Sequence, residues 1–559
     1  MSACLSASIP WFDSFNGLLQ QAKDIGVNAV TVDVWWGVVE AAGDQQFDWS
    51  YYDTVFQKII DKGLGIVPIM SFHKCGGGPG DNCDIPLPSW LGNHFPGFGP
   101  DDLKYESETG AKLDDAIVPW ATENPAVLDE FSELMQAFAQ HFAPQAPHFV
   151  DLNVSLGPTG ELRYPAYNGD DDWSYPDRGN FQAYSPLART RFRDWALASF
   201  GGLSGVSNRW GIPLANADEI RPPGGDLPPG QRRAQGFVDQ QDYKRHPYGR
   251  DFVDWYHQSL VGHGRRVLLA ADGAFTGALD SIPLGMKLPG VHWQLKCTPQ
   301  PRIAEVTAGL VRTSLDLRPA DAARADAYGY RDIMEMLAEV KQAAGRDFVL
   351  HFTALEMDND PGCVGTSMAE ALVFWISQGA ADQGITHKGE NALACVNGPE
   401  PPDSPDNRNW GRIRNAFTHA PYRGFTMLRL VQGGCNPWQT DKSDYATFID
   451  GFAGSGEPLR VHLAEWQYCP TDQGCTYNLY AFDGLTGDFE LSYEGFLNGR
   501  HWWSGEIPTA PDTFRFTFNN TNGWEGGPAQ FDRGYDRDAH GNEIYALGRV
   551  DSTVYTNRP

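Results

Sequence analysis

Over its first 430 residues the chain alternates short apolar runs with stretches of helical period, and this alternation limits the available folds more than any other feature. The apolar runs are Asn28 to Val34, Gly65 to Met70, Val150 to Leu156, Val291 to Leu295, Phe348 to Leu355, a weaker Gly384 to Thr386, and Phe425 to Leu430. Helical periodicity fills the gaps at Phe12 to Lys23, Tyr52 to Lys62, Leu128 to Phe142, Phe192 to Phe200 and Arg331 to Ala343. Parallel strands need long crossovers, and helices supply them, so the pattern reads as α/β with a parallel sheet. Seven strands follow the first helix. An eighth would have to come from the short segment SACLSASIP before Phe12. Eight units give a (β/α)8 TIM barrel with long βα-loop insertions; a doubly wound sheet is the alternative. Polar residues follow the strands: Asp33, His73, Glu161, Lys296, Glu356, Glu390 and Arg429. Barrel enzymes keep their chemistry on that face. Loops are polar in any fold, however, so the motifs must decide.

Composition removes several classes. With 41% hydrophobic and 20% charged residues the chain is neither disordered nor membrane-embedded, and no apolar run reaches the roughly 18 residues of a spanning helix. The 71 acidic residues outweigh 43 basic ones, giving −28, a surface that repels nucleic acid. From Glu457 onward helical period gives way to alternation, as at Phe514, Phe516 and Phe518, which predicts a small all-β sandwich domain. The expected domains are residues 1–440 and 456–559, with the linker between Gly433 and Gly456. Among nine cysteines, Cys75/Cys83 and Cys469/Cys475 are close pairs with neither CxxC spacing nor a histidine cluster. That disfavours zinc and favours short disulfide loops, hence an oxidising compartment and a secreted protein. Met1 precedes a segment with no charged start or long apolar centre, so no signal peptide is expected in this chain.

Glu161 follows the glycine-rich turn Gly-Pro-Thr-Gly, with Arg163 and Tyr164 beside it; Glu356 sits in Ala-Leu-Glu-Met and Glu390 in Gly-Glu-Asn-Ala-Leu. Two carboxyls across a barrel mouth are what glycosidic cleavage needs, one donating a proton and one ionised. A lone Glu is more often a salt-bridged loop residue, and spacing does not say which two of the three form the pair. His73 opens HKCGGGPGD, where the absence of Gly-Lys-Ser/Thr rejects a phosphate loop and the glycines suit a hinged lid carrying Asp81.

Five segments in one order, VDVWWGVVE (32–40), MSFHKCGGGPGD (70–81), GPTGELRYPAY (157–167), HFTALEM (351–357) and GENAL (389–393), resemble the β-amylases, which release β-maltose from the non-reducing ends of starch. The resemblance covers about residues 10 to 430. It implies Glu161 as general acid and Glu390 as general base, which removes Glu356 from that role. It implies sugar contacts for Asp33, His73, Asp81, Lys296, Thr353, Asn391, Ala392 and Arg429, and an apolar insertion by Leu393. The family inverts configuration, so the two carboxyls should stand roughly 6.5–9.5 Å apart with room for water. Arg302 departs from the family, standing where many relatives carry His.

The segment VVEAAGDQQFDWS resembles bacterial β-amylases, in which Glu40, Asp44, Gln45, Glu130 and Glu133 match calcium ligands; hard oxygen donors from a loop and a helix suit Ca2+, and a solvated acidic patch is the plain alternative. No organic cofactor is expected. FRFTFNNTNGWEGG (514–527) resembles a starch-binding module, with Trp524 and Asn519 as the glucan contacts and Trp502 or Trp503 as a second platform. Starch and maltooligosaccharides are therefore the expected partners, without nucleic acid or membrane, and the chain is expected to be a monomer. The expected activity is exo-acting, inverting hydrolysis of α-1,4-glucosidic bonds. The alternatives are an endo-acting or retaining barrel glycosidase, and a non-catalytic starch-binding or storage protein on the same scaffold.

Overall fold

A computed structural model describes residues 9–76, 83–224, 234–293, 302–312, 328–359, 367–392, 396, 409–428 and 437–452, then 459–464, 477–482, 487–497, 500–507, 513–520, 523–524, 533–540, 543–547 and 553–556. Seven parallel strands form the first sheet: β1 (Ala29–Trp35), β2 (Gly65–Ser71), β3 (Leu152–Val154), β4 (Leu284–Leu288), β5 (Phe348–Phe352), β6 (Thr386–Glu390) and β7 (Phe425–Thr426). Each pairs with its neighbour in chain order, for example Ala29 with Gly65 through Trp35 with Ser71. A doubly wound sheet reverses its order at a switch point; this one does not, and the fold is the α/β barrel type. The eighth strand expected before Phe12 lies outside the described residues.

The strands follow from their burial. Six of the seven residues of β2 are buried, as in a sheet covered on both faces. The crossover helices are set by local signals. In α1 (Pro125–His141), Asn124 caps the amide of Ala126 and proline takes the first turn; Val127, Phe131, Leu134, Met135 and Phe138 then line the buried side. Ser185 caps α2 (Pro186–Phe200) through Ala188, and Gly201 ends it in the left-handed region. The 28-residue α3 (Pro247–Ala274) lies between β3 and β4 and was not expected from the sequence.

One strand assignment needs correction. The fourth strand is Leu284–Leu288, not Val291 to Leu295. Leu284, Met286 and Leu288 are buried apolar residues, while Gly285 and Lys287 alternate with them, so the strand never reads as an apolar run. The strand before Glu390 likewise runs from Thr386 to Glu390 rather than from Gly384 to Thr386.

The C-terminal strands are β8 (Leu459–Ala464), β9 (Tyr477–Phe482), β10 (Gly487–Leu497), β11 (Arg500–Ile507), β12 (Thr513–Asn520), β13 (Gly523–Trp524), β14 (Arg533–Asp536) and β15 (Glu543–Leu547). They pair in the order β13-β12-β9-β10-β11-β8-β15, with β14 beside β12, and every pair but β8–β15 is antiparallel. Leu459, Val461, Leu463, Tyr477, Leu479, Trp503, Phe516 and Phe518 pack in one buried cluster. Pro437–Phe452, inside the expected linker, is a helix. Two compact units result: one comprises residues 1–23, 28–398 and 422–437, the other 24–27, 399–421 and 438–559.

Candidate active site

The carboxyl ends of the strands bring most of the described candidates together. Asp33 on β1 accepts from Ser71 Oγ at 2.9 Å. His73, two residues past β2, is buried, its Nδ1 2.8 Å from Ser155 Oγ and its ring edge-on to Trp35 at 5.0 Å. Burial pushes its pKa down to about 4, with the charges of Lys287 and Arg163 adding to the effect and Asp33 opposing it. His73 is therefore neutral at the mouth, able to donate or accept one hydrogen bond.

Glu161 emerges from the turn after β3. Gly157 is required there, because a Cβ would sit 2.6 Å from the carbonyl oxygens of both Glu161 and Arg163. The turn delivers Glu161 into register with Lys287 on β4, and Leu162 donates to the Lys287 carbonyl at 3.0 Å. Glu161 Oε2 accepts from Arg163 Nε at 2.8 Å and Thr159 Oγ1 at 3.1 Å. Arg163 lies over the Tyr167 ring at 4.1 Å, so a buried cation and an aromatic face border the carboxyl.

Glu390 is the last residue of β6 and only 1% exposed. Its Oε2 accepts from Lys287 Nζ at 2.9 Å, while Oε1, also buried, has no hydrogen-bond partner among the described residues. Buried carboxylate oxygens are normally paired, so the free one marks a place for a ligand or water. Burial opposes the charge on Lys287, yet Glu390 beside it wins and holds the ammonium pKa above the usual lysine value. Glu356 has another task. It is fully buried, and both its oxygens accept from Ala392 N, at 2.9 and 3.1 Å, fixing the backbone just after Glu390. The side chain of Asn391 pairs with the Leu428 backbone in both directions, at 3.0 and 2.7 Å. Thr353 is buried and accepts from Gly290 N at 2.8 Å. Ala392 is exposed. Asp81, Lys296, Leu393 and Arg429 lie outside the described residues.

The glycosyl hydrolase family 14 profile matches residues 6–450. The chain belongs to that family. A β-amylase of Cytobacillus firmus is 35% identical over 76% of this chain and 80% of its own length. A β-amylase of Bacillus cereus is 34% identical over 75% and 68% respectively. The crystal structure of the catalytic domain of a Paenibacillus polymyxa β-amylase superposes with TM-score 0.65 at 32% identity, covering 79% of this chain and 96% of that one.

This family 14 chain also gathers Asp44, Glu130 and Glu133, one oxygen of each within 4.8 Å of the others. Burial, with Asp44 and Glu133 adding to it and His94 opposing, raises the Glu130 pKa to about 7. Glu133 Oε2 is buried without a partner among the described residues. Glu40 turns its oxygens to Trp36 Nε1 and Gln45 N, both at 2.6 Å. Gln45 takes φ 57° and is exposed. Cys75 and Cys83 are joined, with Cα atoms 5.5 Å apart. Arg302 is fully buried and pairs with both oxygens of Glu305, at 2.6 and 2.8 Å, and with the Tyr328 carbonyl at 2.6 Å.

In the C-terminal unit Asn519 stands opposite Trp524 in the backbone register. Trp502 and Trp503 are 0% and 3% exposed, so neither forms a second platform: they fill cores. Sequence reasoning missed Lys287, which contacts Glu390 directly. Its signal was a lysine between two apolar residues of a short strand, visible only once that strand is placed correctly.

Proposed function

We propose that this family 14 enzyme is an exo-acting, inverting β-amylase with Glu161 as general acid and Glu390 as general base. One observation carries the assignment: Glu390 is buried with one oxygen on Lys287 and the other without a partner among the described residues. Such an oxygen can accept a proton from water. The glycosidic carbon–oxygen bond breaks as Glu161 gives its proton to the leaving oxygen. The water hydroxyl bonds to the anomeric carbon from the opposite face, and its proton passes to Glu390 Oε1. Asp33, neutral His73 and Thr353 supply sugar contacts; Asp81, Lys296, Asn391, Ala392, Leu393 and Arg429 complete the pocket by the family correspondence. Glu161→Gln and Glu390→Gln should each lower turnover by about 10³-fold or more with starch affinity retained. Substantial activity in either variant would remove that residue from its role.

A structural Ca2+ suits the chemistry of the acidic cluster. Asp44, Glu130 and Glu133 offer hard oxygens, one of them buried and without a partner among the described residues, and Gln45 and Glu40 border them. The ion would tie the loop after β1 to α1. The C-terminal unit is proposed as a starch-binding module with Trp524 and Asn519 at its contact, which raises the effective concentration of enzyme at a granule. The Cys75–Cys83 pair supports secretion into an oxidising medium. Among the described residues no helix is long and apolar enough to cross a membrane.

A further inference from the structure

Thr159 stands in the turn between Gly157 and Glu161, in backbone that a β-branched residue rarely adopts. Its φ is 54° and its ψ 20°, in the left-handed region. Strain of this kind persists only where the surroundings hold it, and it clusters at functional sites. Here the neighbours hold the side chain: Arg163 Nη2 donates to Thr159 Oγ1 at 3.0 Å, and the hydroxyl lies 2.7 Å from the Pro158 carbonyl and 3.1 Å from Glu161 Oε2. We propose that Thr159 is a positioning residue of the hydrolysis: its hydroxyl turns from Pro158 to Glu161 as Glu161 gives up its proton, and stabilises the carboxylate that forms. This rests on the assignment of Glu161 as the general acid.

A threonine hydroxyl has one proton to donate and two lone pairs that accept. Arg163 takes an acceptor site, so the single proton goes either to the Pro158 carbonyl or to Glu161 Oε2. While Glu161 is protonated, both are neutral oxygens and Pro158 is the nearer. Once Glu161 is ionised, Oε2 carries charge, and a hydrogen bond to a charged oxygen is roughly twice as strong as a neutral one. The hydroxyl therefore follows the charge. Arg163 Nε and Thr159 both address Oε2, which leaves Oε1 to carry the transferable proton. As the glycosidic carbon–oxygen bond breaks, that proton passes from Oε1 to the leaving oxygen. The proton of Thr159 rotates and stays on its own oxygen. The ionisable groups facing Glu161 are Arg163 and Tyr167 from its own segment and Lys287 from β4, and neutral His73 stands against Gly160. Arg163 is shared with Asp115, Lys287 is bonded to Glu390, and burial holds the Tyr167 phenol protonated. These groups keep their charge states through the step, so the reorienting donor is Thr159.

The test compares wild type, Thr159→Ala and Thr159→Ser, with Glu161→Gln as the reference. It measures kcat and KM across pH on maltopentaose and on 4-nitrophenyl α-maltoside, whose leaving group departs with little help from an acid, and the melting temperature of each protein. Thr159→Ala should lose about tenfold in kcat on maltopentaose with KM changed little, and less than about threefold on the nitrophenyl substrate. Without the donor the carboxylate forms less readily, so the alkaline limb of the kcat profile should move to higher pH. Thr159→Gly, which suits the left-handed backbone, repeats the deletion without the strain and should move the limb the same way. Thr159→Ser keeps the hydroxyl and should recover most of the loss together with the wild-type limb. An unmoved limb in both deletions, an equal loss on the two substrates, or no recovery in Thr159→Ser at a wild-type melting temperature overturns the proposal while leaving the acid assignment intact. If Glu161→Gln keeps its turnover of maltopentaose, the acid assignment falls and the proposal falls with it.

Discussion

Replacing Glu356 separates a carboxylate that builds the site from one that reacts in it. Glu356 is fully buried and receives the Ala392 amide on both oxygens, at 2.9 and 3.1 Å. Glu356→Ala takes the acceptor away from that part-buried amide, a cost of up to about 1–3 kcal/mol. The void adds about 1 kcal/mol, at roughly 24 cal/mol per Å3. A loss of about 2–4 kcal/mol in unfolding free energy is expected from urea denaturation. The backbone it releases carries Asn391 and Ala392, directly after Glu390, and a misplacement of about 1 Å there costs on the order of a hundredfold in rate. Glu356→Gln keeps one accepting oxygen and nearly the same shape. It should lose about 1 kcal/mol or less and retain at least about a tenth of the turnover. The assay is kcat and KM on maltopentaose alongside the urea midpoint. A Glu356→Gln protein of wild-type stability whose turnover falls as far as that of Glu390→Gln would refute the reasoning and make Glu356 the base.

Metal removal has a pH signature. The Glu130 pKa rises from 4.5 to about 7 on folding without metal, so ionising it opposes folding: the metal-free protein is favoured below pH 4.5 and loses that advantage as pH climbs to about 7. A bound cation takes the place of the proton, so chelator should lower the melting temperature more at pH 7.5 than at pH 5, and equal melts with no metal by elemental analysis would remove the calcium proposal. Trp524→Ala should weaken adsorption to granular starch while leaving hydrolysis of maltopentaose unchanged; undiminished adsorption would remove Trp524 from the contact.

The sequence made the barrel legible where strands are mostly apolar. β1, β2 and β5 read directly because apolar residues make up most of each. β4 was missed because the barrel interior at its level is polar: Gly285 leaves room for Asn153, and Lys287 reaches Glu390. The displaced reading, Val291 to Leu295, begins in the loop that follows, where Val291 to Trp293 are described. The motifs supplied the carboxylates but not their surroundings. That Glu356 holds Ala392 is a contact across 36 residues, and that Arg302 is spent on Glu305 depends on a buried turn in the left-handed region. Burial decided the adjacent tryptophans: Trp502 and Trp503 alternate across one strand, yet both faces of that strand are covered. Local pattern does not reveal how many layers a strand lies between.

The most direct test of the two-carboxylate mechanism is the configuration of the first product. Proton NMR during the opening minutes of maltopentaose hydrolysis, before mutarotation, reports the anomeric proton of newly released maltose. Inversion by water activated at Glu390, with Glu161 protonating the leaving oxygen, predicts β-maltose accumulating first and relaxing toward the equilibrium mixture. Initial α-maltose, or a ladder of internal fragments in place of maltose, would contradict it.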